Sequence, residues 1–299
     1  MMLRIAVVGG YNLGVIVKPK LKKDSQTNNN LSICFRAGGV GRNISEALCR
    51  MGCQVTFITV SDQDSVSRAL LESLRDLNVD IVTLAAAPTG VYLAIMKEGG
   101  VLDASYCDMS GVESISFRDI VEYGLDFSCF DGVAVEANLR EDTIVDLCNH
   151  LRMLNVPYAI DPVSTTKAFR LRKVLNGCTL IKPNQYEAEV LTGLTCRTMR
   201  DGQKCGEWFI KQGVENVAIS MGEQGFLLCN KQSSKGFSSV KVDVIDENGA
   251  GDSLLSALFR CILTKTSQED TGRIGIKCAT LTCCSTKPIS PLISSELFL

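Results

Sequence analysis

The sequence predicts an α/β fold: a mostly parallel central sheet flanked by helices, with a small β-sheet lid projecting from it. Three observations carry this. Short apolar runs alternate with stretches of helical spacing along most of the chain, the pattern of a sheet with helices packed on its faces. The strand-like runs are apolar throughout, as burial on both faces requires. Two stretches break the alternation and look like antiparallel strands.

Taken in order, "RIAVVGG" reads as a first buried strand, "GRNISEALCRMG" as a helix ended by Gly52, "QVTFITV" as a strand and "SVSRALLESLRDLNV" as a helix. "GVAVEA" is a strand and "EDTIVDLCNHLRMLN" a helix; "PYAIDP" and "CTLIKPN" are strands. "QYEAEVLTG" and "CGEWFIKQGV" follow as helices, then "NVAISMG" and "GFLLCN" as strands. The first break, residues 15–37, has a polar Lys/Asn/Gln centre. The second, residues 89–109, reads as a hairpin: "VYLAIMK", a turn at Glu98-Gly99-Gly100, then "VLDASYC". The expected division is therefore a core of residues 1–14, 38–88 and 110–299, with residues 15–37 and 89–109 as the lid.

At 299 residues the chain has room for one large domain, or one plus a small one, at about 150 residues per domain. Hydrophobic residues make up 45% and charged residues 21%, which fits a globular protein with a large core. The 31 basic and 33 acidic residues nearly cancel and no long Lys/Arg run exists, so neither nucleic acid nor an anionic membrane is favoured as a partner. The 14 cysteines are scattered without a Cys-x-x-Cys pair. The N-terminal apolar run is too short for a signal peptide, so the cysteines read as reduced thiols of a cytoplasmic protein. No run approaches the ~18 apolar residues of a membrane span. With His150 as the single histidine, a His-based triad or multi-His metal site is excluded. Any general base is a carboxylate, Lys, Tyr or Cys.

Four clusters belong at the carboxyl ends of strands, where open α/β sheets bind ligands. In "AGGVGRN", Gly38, Gly39 and Gly41 permit close backbone approach, and Asn43 lies near a helix start. A turn with a helix start explains the same residues. In "KPNQYEAE", Glu187 and Glu189 fall in the first helical turns after Asn184. They suit the helix dipole, or one of them holds hydrated Mg²⁺. In "SMGEQG", Ser220, Gly222 and Gly225 lie between two strands, as a hairpin or as a ligand-lining turn. In "DENGAGDSLLSALF", Gly249, Ala250 and Gly251 carry no bulk before Asp252 and an apolar helix. Asp252 is either a cap or a base beside an anion site made of converging N–H groups. A phosphoryl group suits such a site, since its transfer asks for positioning, charge stabilisation and a base.

Together the four clusters resemble the ribokinase-like (PfkB) family of sugar and nucleoside kinases, nearly end to end and in the same order. The resemblance implies the ribokinase-like fold, ATP and Mg²⁺, and a small nucleoside or sugar as acceptor. It implies Asp252 as catalytic base, with Gly249, Ala250 and Gly251 as its anion hole. Asn184 and Glu187 match the family's Asn-x-x-Glu, which organises Mg²⁺ and phosphates; the choice of Glu187 over Glu189 rests on that match. Ser220, Gly222, Gly225 and Asn248 fall to the nucleotide. Asn12, Gly39, Gly41 and Asn43 match positions around the sugar, and Thr89 and Tyr92 lie on the lid strand near the base. Asp246 matches a residue near a monovalent-cation site, implying K⁺ as a further cofactor. "GGVGRNI", "DPVSTTK", "LIKPNQYEAEVLTG" and "SMGEQG" are similar to family members that phosphorylate the 5′-hydroxyl of pseudouridine. Ribose, adenosine or another acceptor, or a weakly active nucleoside-binding relative, are the alternatives, and the lid strands could pair across a homodimer.

The sequence departs from the family pattern in two places. Gly14 stands where the family has an Asp that grips ribose hydroxyls, so weakened or altered sugar binding is expected. Glu247 and Asn248 replace small apolar or Thr residues before the anion hole; a carboxylate there is unfavourable near polyphosphate unless it faces solvent or a cation.

Overall fold

The computed structural model describes residues 2–19, 31–62, 64–97 and 102–298. The expected turn at Glu98-Gly99-Gly100 and the polar centre of the first break, residues 20–30, lie outside them. Strand β1 (Arg4–Val8) is followed by β2 (Asn12–Pro19) and β3 (Leu31–Gly38), then helix α1 (Val40–Arg50), β4 (Gln54–Thr59), α2 (Ser65–Arg75) and β5 (Asp80–Thr83). Next come β6 (Gly90–Met96), β7 (Leu102–Asp108), α3 (Ser110–Glu113), α4 (Phe117–Glu122), β8 (Gly132–Glu136), α5 (Glu141–Met153) and β9 (Tyr158–Asp161). The chain continues with α6 (Thr165–Ala168), β10 (Leu180–Ile181), α7 (Gln185–Thr192), α8 (Met199–Lys211) and β11 (Asn216–Ser220). It closes with β12 (Phe226–Asn230), β13 (Ser234–Phe237), α9 (Ala250–Leu263) and α10 (Gln268–Cys283).

Among the described residues nine strands form the large sheet, in the order β13-β12-β11-β10-β9-β8-β1-β4-β5. The pairs from β11 to β5 are parallel, and β12 and β13 add an antiparallel edge. The fully apolar strands are explained by two cores, one on each face. Ile5 and Val7 pack into one and Ala6 and Val8 into the other, as a side-chain period of two demands. β1 has β8 on one side and β4 on the other, so the order reverses there, and the crevice past the carboxyl ends of β1 and β8 is the expected ligand position.

The second sheet has four strands in the order β3-β2-β6-β7. β2 begins at Asn12 and β3 ends at Gly38, so the small sheet takes in Asn12, Leu13, Gly14 and Gly38. Its register puts Arg36, Gly14, Tyr92 and Cys107 in one row across the strands. The row of Phe35, Val15, Leu93 and Tyr106 alternates with it and is apolar.

β5, β13, the short helices α3, α4 and α6 and the long α10 were not expected from the sequence. α10 carries Gly272, Gly275 and several Thr and Cys, poor helix formers that blur an apolar stripe. Gly272 has a packing reason: a Cβ there would lie 2.1 Å from the Phe237 ring. Among the described residues no helix is long and apolar enough to cross a membrane.

Candidate active site

The floor of the site is made by strand ends that the sequence reading passed over. β8 ends in Glu136, β9 ends in Asp161, and Lys182 follows β10 directly. All three are buried. A charge closing an apolar run was the available signal, because such a residue needs a buried partner. Asp161 and Lys182 approach to 3.1 Å. Asp161 Oδ1 accepts a hydrogen bond from the Val163 amide at 2.8 Å, and Oδ2 is the oxygen that faces Lys182 Nζ. Glu136 Oε1 accepts from the Gly10 amide at 2.8 Å, tying β8 to the end of β1, and Oε2 accepts from the Asn138 amide at 2.9 Å. Asn138 in turn accepts from Lys167. Burial pushes the Glu136 carboxyl up to about 7, against the two backbone donors that favour its anion.

α9 starts above this floor. Gly249 caps it with φ of +83°, and a Cβ there would lie 1.7 Å from the Pro288 carbonyl oxygen. A Cβ on Gly251 would lie 2.8 Å from Lys182 Nζ, so the helix start and the ammonium are in close approach. Asp252, in the first turn, is buried and accepts a hydrogen bond from Asn43 Nδ2 at 2.8 Å. Burial, then repulsion from Asp161, raises its pKa to about 7; Lys182 and Asn43 act the other way. Burial pulls the Lys182 amine down, but Asp161, Glu187 and Asp252 together hold it above its ordinary value. The sequence-derived pairing of Asp252 with the GAG turn is thus a real juxtaposition, and Lys182 is an unforeseen member.

Asn184 and Glu187 form a reciprocal cap of α7. Asn184 Oδ1 accepts from the Tyr186 and Glu187 amides, each at 2.9 Å, and Glu187 Oε2 accepts from the Asn184 amide at 2.8 Å. The helix-cap reading of this motif therefore holds alongside any ligand role. Glu187 is buried beside Asp161 and Lys182, and burial raises its pKa. Glu189 instead bonds the Cys196 amide and Arg197, away from this group. Ser220 is bridged to Asn184, its amide donating to the Pro183 carbonyl at 3.0 Å. Gly222 has φ of +57° with open space beside it, and Gly225 packs under the Phe237–Ser239 backbone. Past that backbone lies a groove of about 380 Å³ lined by Phe237, Val240, Arg273, Ile276, Lys277 and Leu281, among others.

On the other side, Gly39 (φ +104°) and Gly41 press against the Gly9–Tyr11 backbone, which brings the start of α1 and Asn43 to Asp252. Asn12 is half-buried next to Gly38 and Gly90. Tyr92 lies beside Gly14 in the row that includes Arg36. Thr89 is not aimed at this group: its hydroxyl bonds Ser67 of α2. Asp246 pairs with Arg36 and accepts from the Asn248 amide at 3.0 Å and Nδ2 at 2.8 Å, so Asn248 closes a local turn. Glu247 is exposed.

The site fits a divalent cation. Asp161, Glu187 and Asp252 are three buried carboxylates facing the single ammonium of Lys182, an excess of negative charge that a cation would offset. Among the described residues no cluster of three or more ligand-type side chains could hold a metal by itself. A hydrated Mg²⁺ reached through Glu187 suits such a sparse donor set.

Comparison with known proteins agrees with this geometry. Pseudouridine kinase of Escherichia coli is 26% identical over 261 residues, covering 86% of this chain and 83% of that protein. Guanosine-inosine kinase of Exiguobacterium acetylicum is 29% identical over 295 residues, covering 95% of each. The structure of Arabidopsis thaliana ribokinase complexed with ribose and ATP superposes with a TM-score of 0.81 at 19% identity, over 99% of this chain and 97% of that one. The ribokinase-like fold, with its large mostly parallel sheet and smaller four-stranded sheet, is shared. Residues 2–295 match the family described as pfkB family carbohydrate kinase, and this chain belongs to that family.

Proposed function

We propose that this chain transfers the terminal phosphoryl group of ATP to the 5′-hydroxyl of a nucleoside, with pseudouridine as the acceptor. The observation that carries the reading is Asp252: a buried carboxylate with its pKa raised to about 7, in the first turn of α9 behind Gly249, Ala250 and Gly251. Asp252 takes the acceptor's proton as its oxygen bonds to phosphorus. The N-terminal end of α9 and the Lys182 ammonium meet the negative charge on the transferring group. Asn184, Glu187, Ser220, Gly222 and Gly225 line the nucleotide side, and Asn12, Gly39, Gly41, Asn43 and Tyr92 the acceptor side. Mg²⁺, when bound, supplies charge neutralisation on the phosphates. The reacting group sits in a crevice whose buried charges act at low effective dielectric.

Pseudouridine is favoured by the relative named for that activity and by the stretches "GGVGRNI" and "DPVSTTK". A purine nucleoside is the second reading, favoured by the guanosine-inosine kinase relative. Rates with pseudouridine, uridine, ribose, inosine and guanosine at fixed ATP and Mg²⁺ separate them. Preference for any acceptor over pseudouridine removes the first reading. Calorimetric nucleoside binding without phosphate transfer would instead mark a binding protein. K⁺ at Asp246 would have to displace Arg36, so stimulation by K⁺ but not by a bulky organic cation is its test.

We further propose a cytoplasmic homodimer joined through the small sheets. All 14 cysteines are free thiols, which suits a reducing compartment. Ile33, Phe35, Val91 and Tyr106 stand exposed on the face turned away from Arg36, an apolar surface suited to a second copy.

A further inference from the structure

We propose that Arg42 and Glu46 are positioning residues that lock the Asn43 amide in the orientation that donates to Asp252. The proposal rests on the reading of Asp252 as the base.

An amide side chain has a donor end and an acceptor end of nearly equal size, and only one end suits a carboxylate. Asn43 bonds Asp252 through its nitrogen. Its oxygen accepts from Arg42 Nη1 at 3.3 Å, so the guanidinium holds the acceptor end and leaves the donor end facing Asp252. Arg42 is itself fixed. Glu46 lies 2.6 Å from it, Arg50 lies 2.8 Å from Glu46, and Ser73 of α2 accepts from Arg42 Nη2 at 3.3 Å. A continuous chain therefore runs from Arg50 through Glu46, Arg42 and Asn43 to Asp252.

Arg42 and Glu46 are both buried, and Arg42 Nε has no hydrogen-bond partner there. A buried ion pair with a donor unpaired is a poor way to stabilise a helix, since apolar residues of similar volume generally do as well or better. The pair instead gives Asn43 a single orientation. Asp252 also faces Lys182 after β10, Asp161 on β9 and Glu187 on α7, and two of those three are anions that penalise its charge. Asn43 is the donor from α1 that offsets them. If the amide turns over, its oxygen meets the carboxylate and the anion is penalised again.

The test compares the wild type with R42M/E46L and with Arg42→Lys. The Asp252 carboxyl is titrated by ¹³C NMR in ligand-free protein, and kcat is measured against pH. R42M/E46L is expected to unfold at the same temperature or higher. Its Asp252 midpoint should rise by about one pH unit, the acid limb of kcat should move up equally, and kcat at pH 7 should fall about fivefold. Arg42→Lys keeps the charge but not the planar fork, and should give an intermediate midpoint. An unshifted Asp252 midpoint in folded R42M/E46L overturns the proposal, whatever the activity. If that variant does not fold, Arg42→Lys decides, and a wild-type midpoint in it overturns the proposal. A shifted midpoint in a protein whose wild type transfers no phosphate leaves the lock standing and removes Asp252 as a base.

Discussion

Asp252→Asn preserves the size of the side chain and leaves an oxygen for Asn43 to bond. The fold is expected to survive while kcat falls by about 10²–10⁴-fold, the usual share of a general base; steady-state rates and circular dichroism check this together. Because only the ionised form accepts a proton, wild-type kcat should rise with pH through about 7. The same carboxyl affects stability. Asp252 and Glu136 have ordinary values of 3.8 and 4.5, and both are raised to about 7 in the folded chain. Between those limits the native state binds more protons than the unfolded state, so its stability falls as pH rises. Melting temperatures should decline from pH 5 to pH 8, and Asp252→Asn should flatten part of that decline. A wild type equally stable across this window would contradict the raised values. At this scale Asp252, Asn184 and Glu187 were legible because each sits in a compact motif. Glu136, Asp161 and Lys182 were not, because their partners come from strands far apart in sequence and meet only through the parallel sheet.

The start of α9 combines a left-handed backbone with a contact no side chain tolerates. Gly249→Ala would force the Pro288 backbone to move, since the new Cβ would lie 1.7 Å from its oxygen. Left-handed strain alone costs about 1–2 kcal/mol, so a lowered unfolding midpoint together with a slowed reaction is expected from denaturant titration and assay. The α7 cap offers a contrasting case. Asn184→Ala removes bonds to two amides, 2.9 Å each, and should cost about 1 kcal/mol. Its effect on the KM for ATP separates a cap alone from a cap that also meets a ligand. The longer helices α1, α2, α5, α7, α8 and α9 were readable from residue order, whereas the short α3, α4 and α6 were not, even where a capping box starts them as in α4. Nor was α10, since its Gly272 serves the close approach of Phe237 from β13, a contact that residue order does not show.

At the scale of the whole molecule, the strand and helix alternation fixed the class of fold, and the two rhythm breaks marked the second sheet. A small sheet over the site was the expectation from those breaks; its register was not legible, because it pairs residues such as Gly14 and Tyr92 far apart in the chain. That sheet has two unlike faces. Phe35→Lys puts a charge in the middle of its exposed apolar face, and on the proposed dimer light scattering should report a dimeric wild type and a monomeric variant. A monomeric wild type would leave the apolar face without that partner.

The ion pair between Arg36 and Asp246 joins the small sheet to the segment that leads into α9. On the proposed function one end of this bond belongs to the acceptor's side and the other to the phosphates' side, so a shift of one would bear on the other. Thermodynamic reciprocity then sets a numerical constraint: the factor by which a bound nucleoside changes affinity for ATP equals the factor by which ATP changes affinity for the nucleoside. Arg36→Ala should bring both factors toward one together, a cooperativity measurable in a single closed binding cycle.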